Sequence, residues 1–364
     1  MKFICDGLTL SEAVMKVSKA CAVRTTAPIM ECIKISATLD GISLLATDGE
    51  LSIRKEVKAE VLEEGEICVP GKLFADFSSK LSDEEISLST GERGVEIKYR
   101  DSVSYMQALS AEDFPRINLE IGEDSFVMKQ ASLKKIIAET AFCCAQDDSR
   151  PILKGCLMDF GKELEVVALD GYRLALSKAE VVSKSDAKSI ICPARTLIEI
   201  SRMLSDEEEI TLYTQGGMLL VSCDGLTVIS RLYQGEFIKK ENVIPTSFGT
   251  YLTLNRAELM ASVERAAILN RGDKNNLVTF VISNGEVRIS STSEYGNVSE
   301  VIPAEWMGFE LTISMNAKFL LDALRALGEE RVTISFGGAV SPFTLQNVTD
   351  KHNLYLILPV RNAG

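Results

Sequence analysis

CVPGKLFADFSSKLSDEEISL (residues 68–88) decides how this chain folds, because two later segments repeat it: ICPARTLIEISRMLSDEEEITL (191–212) and SMNAKFLLDALRALGEERVTI (314–334). The three begin at residues 68, 191 and 314, a constant step of 123. On that step a basic side chain recurs at Lys72, Arg195 and Lys318, an acid at Asp76, Glu199 and Asp322, and a leucine at Leu81, Leu204 and Leu327. Periods of about 20–50 residues mark solenoids and propellers. A step of this length is a whole domain, and 364 residues accommodate three of them, each large enough for its own core.

Outward from these segments, each copy opens on an amphipathic stretch. Leu10, Val14 and Val17, then Leu133, Ile137 and Thr140, then Leu259, Val263 and Ala266 stand three or four residues apart, which places each set on one helical face. A turn signal follows at Asp40-Gly41, Gly161-Lys162 and Asn284-Gly285, flanked by alternating segments such as ISLLATD, LEVVALD and EVRISST. Such dipeptides between alternating runs predict β-hairpins. The repeated segment supplies a second helix, entered at Pro70, Pro193 and Asn316 and ending at Ser82-Asp83, Ser205-Asp206 and Gly328-Glu329. The fold class is therefore α+β: three tandem copies of two helices packed on antiparallel sheet. Domain boundaries fall in the short stretches GEDS and TSFG, giving domains 1–122, 125–246 and 249–364, closely docked rather than loosely strung.

The chain is 46% hydrophobic and 25% charged, with a net charge of −13. A strongly acidic sum argues against a nucleic-acid partner only if the positive residues are scattered. They are not. Lys72, Arg195 and Lys318 share one place on the second helices, and Lys80, Arg202 and Arg325 follow. Seven residues separate Arg195 from Arg202 and Lys318 from Arg325, a return to within about 20° of the same helical face. First helices add Lys16, Lys19, Lys134, Lys135, Arg256 and Arg265, with Arg24 and Arg271 beyond their ends. A basic surface so built would bind a polyanion through phosphates, without reading sequence.

Enzyme constellations find little material. The chain has one histidine, His352, and neither GxxxxGK[ST] nor GxGxxG after a strand. The runs SDEE (82–85) and SDEEE (205–209) read as solvated turn charges. Nine cysteines without a CxxC pair fit reduced, mostly buried thiols, the adjacent Cys143 and Cys144 included. No cofactor or metal is expected. The start, MKFICDGLTLSEAV, has no apolar run of signal-peptide length, and no stretch reaches about 18 apolar residues, so a cytoplasmic protein without a membrane partner is expected.

MKF (1–3), ATDGELSI (46–53), ALDGYRLALS (168–177), RAAIL (265–269) and YLILPVR (355–361), in that order, resemble the bacterial DNA polymerase III β-subunit, or sliding clamp, family along essentially the whole chain. The resemblance implies three clamp domains, half of a six-domain ring closed by a head-to-tail homodimer with helices inside. It implies a non-catalytic processivity factor that encircles double-stranded DNA and slides. Implied protein partners are the replicative polymerase catalytic subunit, the clamp loader, translesion polymerases and mismatch-repair proteins. Arg24 in RTTAPIM, Lys72 in VPGKLF and Arg150 in DDSRPI look similar to the family's DNA-contacting positions; Arg195, Arg202 and Lys318 join them through the repeat. Positions matching the family's partner-peptide pocket are Leu153, Gly171, Tyr172, Arg173, Leu174, Val243, Asn316, Phe319, Val340, Leu356, Ile357, Leu358, Pro359, Val360 and Arg361. There, aliphatic walls would accept a leucine and an aromatic anchor while Arg173 and Arg361 hold polar groups.

This sequence departs from the family at Tyr172, where histidine is frequent, at Pro151 and Ile152, where some members have aromatics, and at Ile238, where proline is common. Deleting residues 356–364 is expected to abolish peptide binding and leave the dimer intact. Two other classes compete: an acidic three-domain protein-binding scaffold that ignores DNA, and a hydrolase using Asp and Glu pairs. Basic positions that recur with the repeat favour the clamp over the scaffold, and the lack of a non-repeated catalytic cluster weighs against the hydrolase.

Overall fold

Alternation of buried and open residues makes a strand of the first element in every copy, where a helix was expected. KFICD, DSFVMK and TYLTLN form Lys2–Asp6, Asp124–Lys129 and Thr250–Asn255, burying Phe3, then Phe126 and Met128, then Leu252 and Leu254. Five or six residues with period two, abutting a helix, are too short to stand out from the helical pattern beside them. The computed structural model describes all residues except 83, 92, 93, 119–121, 123, 185, 206, 207, 269–275 and 362–364. Arg271, Asp83, Asp206, part of GEDS and the end of the chain after Arg361 therefore lie outside the described residues.

Each opening strand runs straight into a helix, and the repeated segment forms a second. The six are α1 (Gly7–Val17), α2 (Gly71–Ser78), α3 (Gln130–Thr140), α4 (Ala194–Met203), α5 (Arg256–Ile268) and α6 (Ala317–Ala326). All nine apolar-face positions read from the first helices are buried. Asp6 caps α1 by accepting from the Thr9 amide at 2.7 Å, and Asn316 caps α6 by accepting from Lys318 and Phe319. Pro70 and Pro193 stand immediately before α2 and α4. These second helices end at Ser78, Met203 and Ala326, earlier than expected, because Leu204 and Leu327 beyond α4 and α6 are drawn into the core. The three hairpins form at the predicted turns. Asn284 and Gly285 both take positive φ, whereas Gly161 and Lys162 turn without it.

Two compact units emerge. The first holds Met1–Gln130, Val182–Asp186 and Arg202–Leu232. It contains a five-stranded antiparallel sheet, ordered Glu60–Glu63, Lys2–Asp6, Glu85–Gly91, Gly94–Tyr99, Ser102–Met106. Its second sheet has nine strands and is continuous across two copies of the repeat, because Leu226–Arg231 hydrogen-bonds to Leu51–Val57 with Val228 opposite Ile53. Helix α1 packs on α2 and on Leu51–Val57.

The second unit holds Ala131–Val181, Ala187–Ser201 and Tyr233–Gly364. A four-stranded sheet runs Gly296–Pro303, Glu286–Ser293, Leu277–Ser283, Leu311–Asn316, with α5 against its first three strands and against α6. Its nine-stranded sheet again joins two copies: Arg173–Glu180 pairs with Asn353–Ile357, placing Leu174 opposite Leu356 and Arg173 opposite Ile357. The expected close docking of neighbouring copies thus takes the form of shared sheets. Asn353–Ile357 also pairs with Phe343–Asn347, and Leu356 and Ile357 are each 1% exposed. The deletion of residues 356–364, expected to leave the dimer intact, would also remove Leu356 and Ile357 from an interior strand.

Eight of the nine free cysteines are buried and Cys223 is half-buried. Burial pushes the Cys5, Cys21 and Cys68 thiols up to about 12, and contact with Cys156 together with burial holds Cys144 well above the ordinary thiol range. Thiols in this state are inert. Titration with an aromatic disulfide reagent near neutral pH is expected to label at most Cys223 quickly, and all nine only after denaturation; rapid native labelling of several would contradict this packing.

Candidate functional site

A tight turn at Asp170-Gly171-Tyr172-Arg173 organises the surface that carries most of the expected pocket residues. The Asp170 carboxylate accepts from the Tyr172 amide at 2.9 Å and from the Arg173 amide at 3.0 Å, and Gly171 takes φ +92°, which a side chain would resist. The first copy builds the same turn at Asp48-Gly49-Glu50-Leu51, with Asp48 accepting from Glu50 and Leu51 and Gly49 at φ +91°. The difference is chemical: a buried leucine closes the first turn, whereas an arginine closes the second.

Arg173 is 8% exposed, and its guanidinium is committed inside the protein. Nε donates to Asp170 at 3.0 Å, Nη1 to Asp322 at 2.7 Å and Nη2 to the Phe142 carbonyl at 2.9 Å. The charge also lies 4.5 Å from the Phe319 ring centroid and 5.5 Å from that of Phe142. Sequence reasoning gave Arg173 to an incoming polar group; three of its five N–H groups make it a hub that fixes the turn against α6. Burial by itself raises the Asp322 carboxyl, but hydrogen bonds from Lys318 and Arg173 outweigh that and hold it below the usual carboxylate value.

Around the hub lies an apolar surface. Tyr172, 65% exposed, stacks on Phe319 with centroids 6.4 Å apart. Leu153, Leu174 and Leu356 are buried with Ala145, Val167, Leu169 and Leu176, and Ile152, Phe237, Val243, Ile244 and Leu358 pack half-buried against them. Leu358 is tied down by its amide to the Tyr172 carbonyl at 2.9 Å, and Val360 by its amide to Ser314 at 2.8 Å. Pro359 is half-buried and Arg361 exposed. Two expected pocket residues stand apart from this cluster: Asn316 spends its side chain capping α6, and Val340 is 68% exposed in a loop. Phe237, Ile244 and Phe142 were missed, since apolar pairs in short loops and a single 3-10 turn give no periodic signal.

The basic positions divide by what faces them. Arg24 and Lys72 are exposed and have no ion-pair partner among the described residues. Arg195 lies in the first turn of α4 and Arg202 in its last, both exposed. Arg150 reaches toward the pocket turn, its Nη1 3.9 Å from where a Cβ on Gly171 would sit. Lys318 is paired with Asp322 at 2.8 Å, and Arg325 with Glu264 at 2.8 Å. Arg256 does not belong to a basic face: it donates to the Glu329 and Leu324 carbonyls, tying α5 to the end of α6. Among the described residues no group of three or more His, Cys, Asp or Glu could hold a metal, and no helix is long and apolar enough to cross a membrane.

Comparison with known proteins gives one consistent answer. Models of the N-terminal, central and C-terminal domains of the DNA polymerase III beta subunit match residues 1–119, 127–239 and 241–361. The beta sliding clamp of Streptococcus pneumoniae serotype 4 is 32% identical over 373 aligned residues, covering 96% of each chain. The crystal structure of the Bacillus subtilis DNA polymerase sliding clamp superposes with a TM-score of 0.95 at 30% identity, covering 99% of both chains. The Pseudomonas aeruginosa clamp bound to griselimycin does so at 0.93 and 27% identity, again over 99% of both.

Proposed function

The chain belongs to the DNA polymerase III beta subunit family of sliding clamps, non-catalytic processivity factors of DNA replication, and from that premise we propose that two copies close head to tail into a ring around duplex DNA. The domains of this reading are residues 1–122, 125–246 and 249–364, and the family models run over 1–119, 127–239 and 241–361. Arg24, Lys72, Arg150, Arg195, Arg202 and Lys318 meet phosphates, weakly enough for sliding. The surface around Tyr172, Phe319 and Leu358 receives a short apolar peptide from the replicative polymerase, the clamp loader, translesion polymerases or mismatch-repair proteins, in the cytoplasm.

One observation carries ring closure: the edges of the two smaller sheets. Unpaired edges invite another strand. Glu60–Glu63 is acidic, and Leu311–Asn316 is partly covered by the Val360 amide on Ser314. That leaves Ser102–Met106 in the first unit and Gly296–Pro303 in the second, each with exposed apolar side chains: Val103 and Tyr105 on one, Val301 on the other. Pairing of one protomer's first edge with its partner's second would occupy both and, repeated by the two-fold, close the ring.

Topological binding predicts that the protein, once loaded, co-elutes with closed circular DNA in gel filtration and is lost when the circle is cut. Equal loss from circular and linearised DNA would overturn the ring.

A further inference from the structure

Asp322 is one carboxylate shared by two surfaces. The same oxygen, Oδ2, accepts from Arg173 Nη1 at 2.7 Å and from Lys318 Nζ at 2.8 Å. Arg173 is buried beneath the Tyr172–Phe319 stack, while the Lys318 side chain is 60% exposed. Lys318, Asp322, Arg325 and Phe142 line an open cleft of about 640 Å³, so the lysine can swing away without disturbing the core. This arrangement is not a property of the repeat: leucine stands at the Arg173 place in the first copy, and Asp76, the counterpart of Asp322, is exposed.

We propose that Asp322 is a positioning residue for the peptide surface and couples it to polyanion binding, because Lys318 and Arg173 compete for one carboxylate oxygen. A phosphate that draws Lys318 away leaves Oδ2 to Arg173 alone. The guanidinium is then held more firmly between Phe319 and Phe142, and the stack that Tyr172 makes on Phe319 is held with it. A nucleic acid on the helix side therefore tightens the peptide surface, and by linkage an occupied peptide surface tightens the grip on the polyanion. The Asp170 turn holds Arg173 from the other side, so the hub persists as Lys318 moves. This inference rests on the clamp reading, which supplies both ligands.

Fluorescence anisotropy of a labelled synthetic pentapeptide containing glutamine, leucine and phenylalanine, titrated with the full-length protein with and without a short DNA duplex, tests it. Duplex is expected to lower the peptide Kd of the unaltered protein about fivefold, the low end of allosteric coupling. Asp322→Asn is expected to weaken peptide binding about tenfold and to abolish the response to duplex. Lys318→Met, at an exposed position that the fold does not depend on, is expected to bind peptide without DNA about as tightly as the unaltered protein does with it. An unaltered protein that binds both probes independently, or an Asp322→Asn variant with unchanged peptide affinity, overturns the coupling alone. An unaltered protein that binds neither probe overturns the clamp reading with it.

Discussion

A chain carrying Val103→Lys and Tyr105→Lys is expected to sediment as a monomer at concentrations where the unaltered chain sediments as a dimer. Both side chains point away from the first unit on the outermost strand of its five-stranded sheet, 48% and 64% exposed, so their replacement leaves the core intact. The neighbouring strand already places Lys98 opposite Val103, so the first substitution sets two ammonium groups side by side; Tyr105 faces Glu96, to which its hydroxyl donates at 2.8 Å. At an interface formed by strand pairing, the ammonium that Val103→Lys sets beside Lys98 has no acid opposite it and costs about 3 kcal/mol or more, roughly a hundredfold in Kd. The thermal midpoint measured on dilute protein should barely change, which separates lost assembly from lost folding. Retention on closed circular DNA should vanish with the dimer, since topological binding needs an unbroken ring. Dimers of unchanged stability would overturn the assignment of this edge.

What the sequence disclosed depended on whether a signal was periodic or repeated. Helices α1 to α6 and the hairpins were legible because each appears three times, and chance similarity at one place is cancelled by absence at the others. The opening strands were not, because KFICD offers only two inward residues before α1 begins. Arg173 was visible as a residue but not as a hub. Its partner Asp322 lies 149 residues away, and no local pattern says that the acid of one helix will reach the arginine of a turn in the preceding copy. Charge counting misled in the same way at Arg256, which spends its donors on helix-end carbonyls. At Arg325 it misled because a glutamate on the neighbouring helix α5 faces it. A basic stripe read from spacing counts charges before pairing, and Lys318 facing Asp322, like Arg325 facing Glu264, must exchange an acid for a phosphate to serve it.

Ending the chain after Tyr355 is expected to destabilise the second unit as a whole, not to trim a pocket. Leu356 stands opposite both Leu174 and Thr344, and Ile357 opposite both Arg173 and Phe343, so these two residues are the last rungs joining strands from two copies of the repeat. Emptying a buried leucine or isoleucine site costs about 2–5 kcal/mol, and the cut empties two while freeing ladder amides and carbonyls on both neighbours. Against a typical domain stability of about 5–15 kcal/mol, that brings the second unit close to unfolding at ambient temperature. The Tyr172 carbonyl would also lose the Leu358 amide, loosening the turn that holds Arg173. By contrast, a chain ending after Val360 keeps every one of these bonds, including Val360 to Ser314, and is expected to melt like the full-length protein. Circular dichroism melts of the two truncations decide between these readings. A chain ending after Tyr355 that melts cooperatively at the full-length temperature would contradict the strand's role in joining the two copies. Loss of peptide binding by that chain would then report the pocket itself and not the collapse of the sheet behind it.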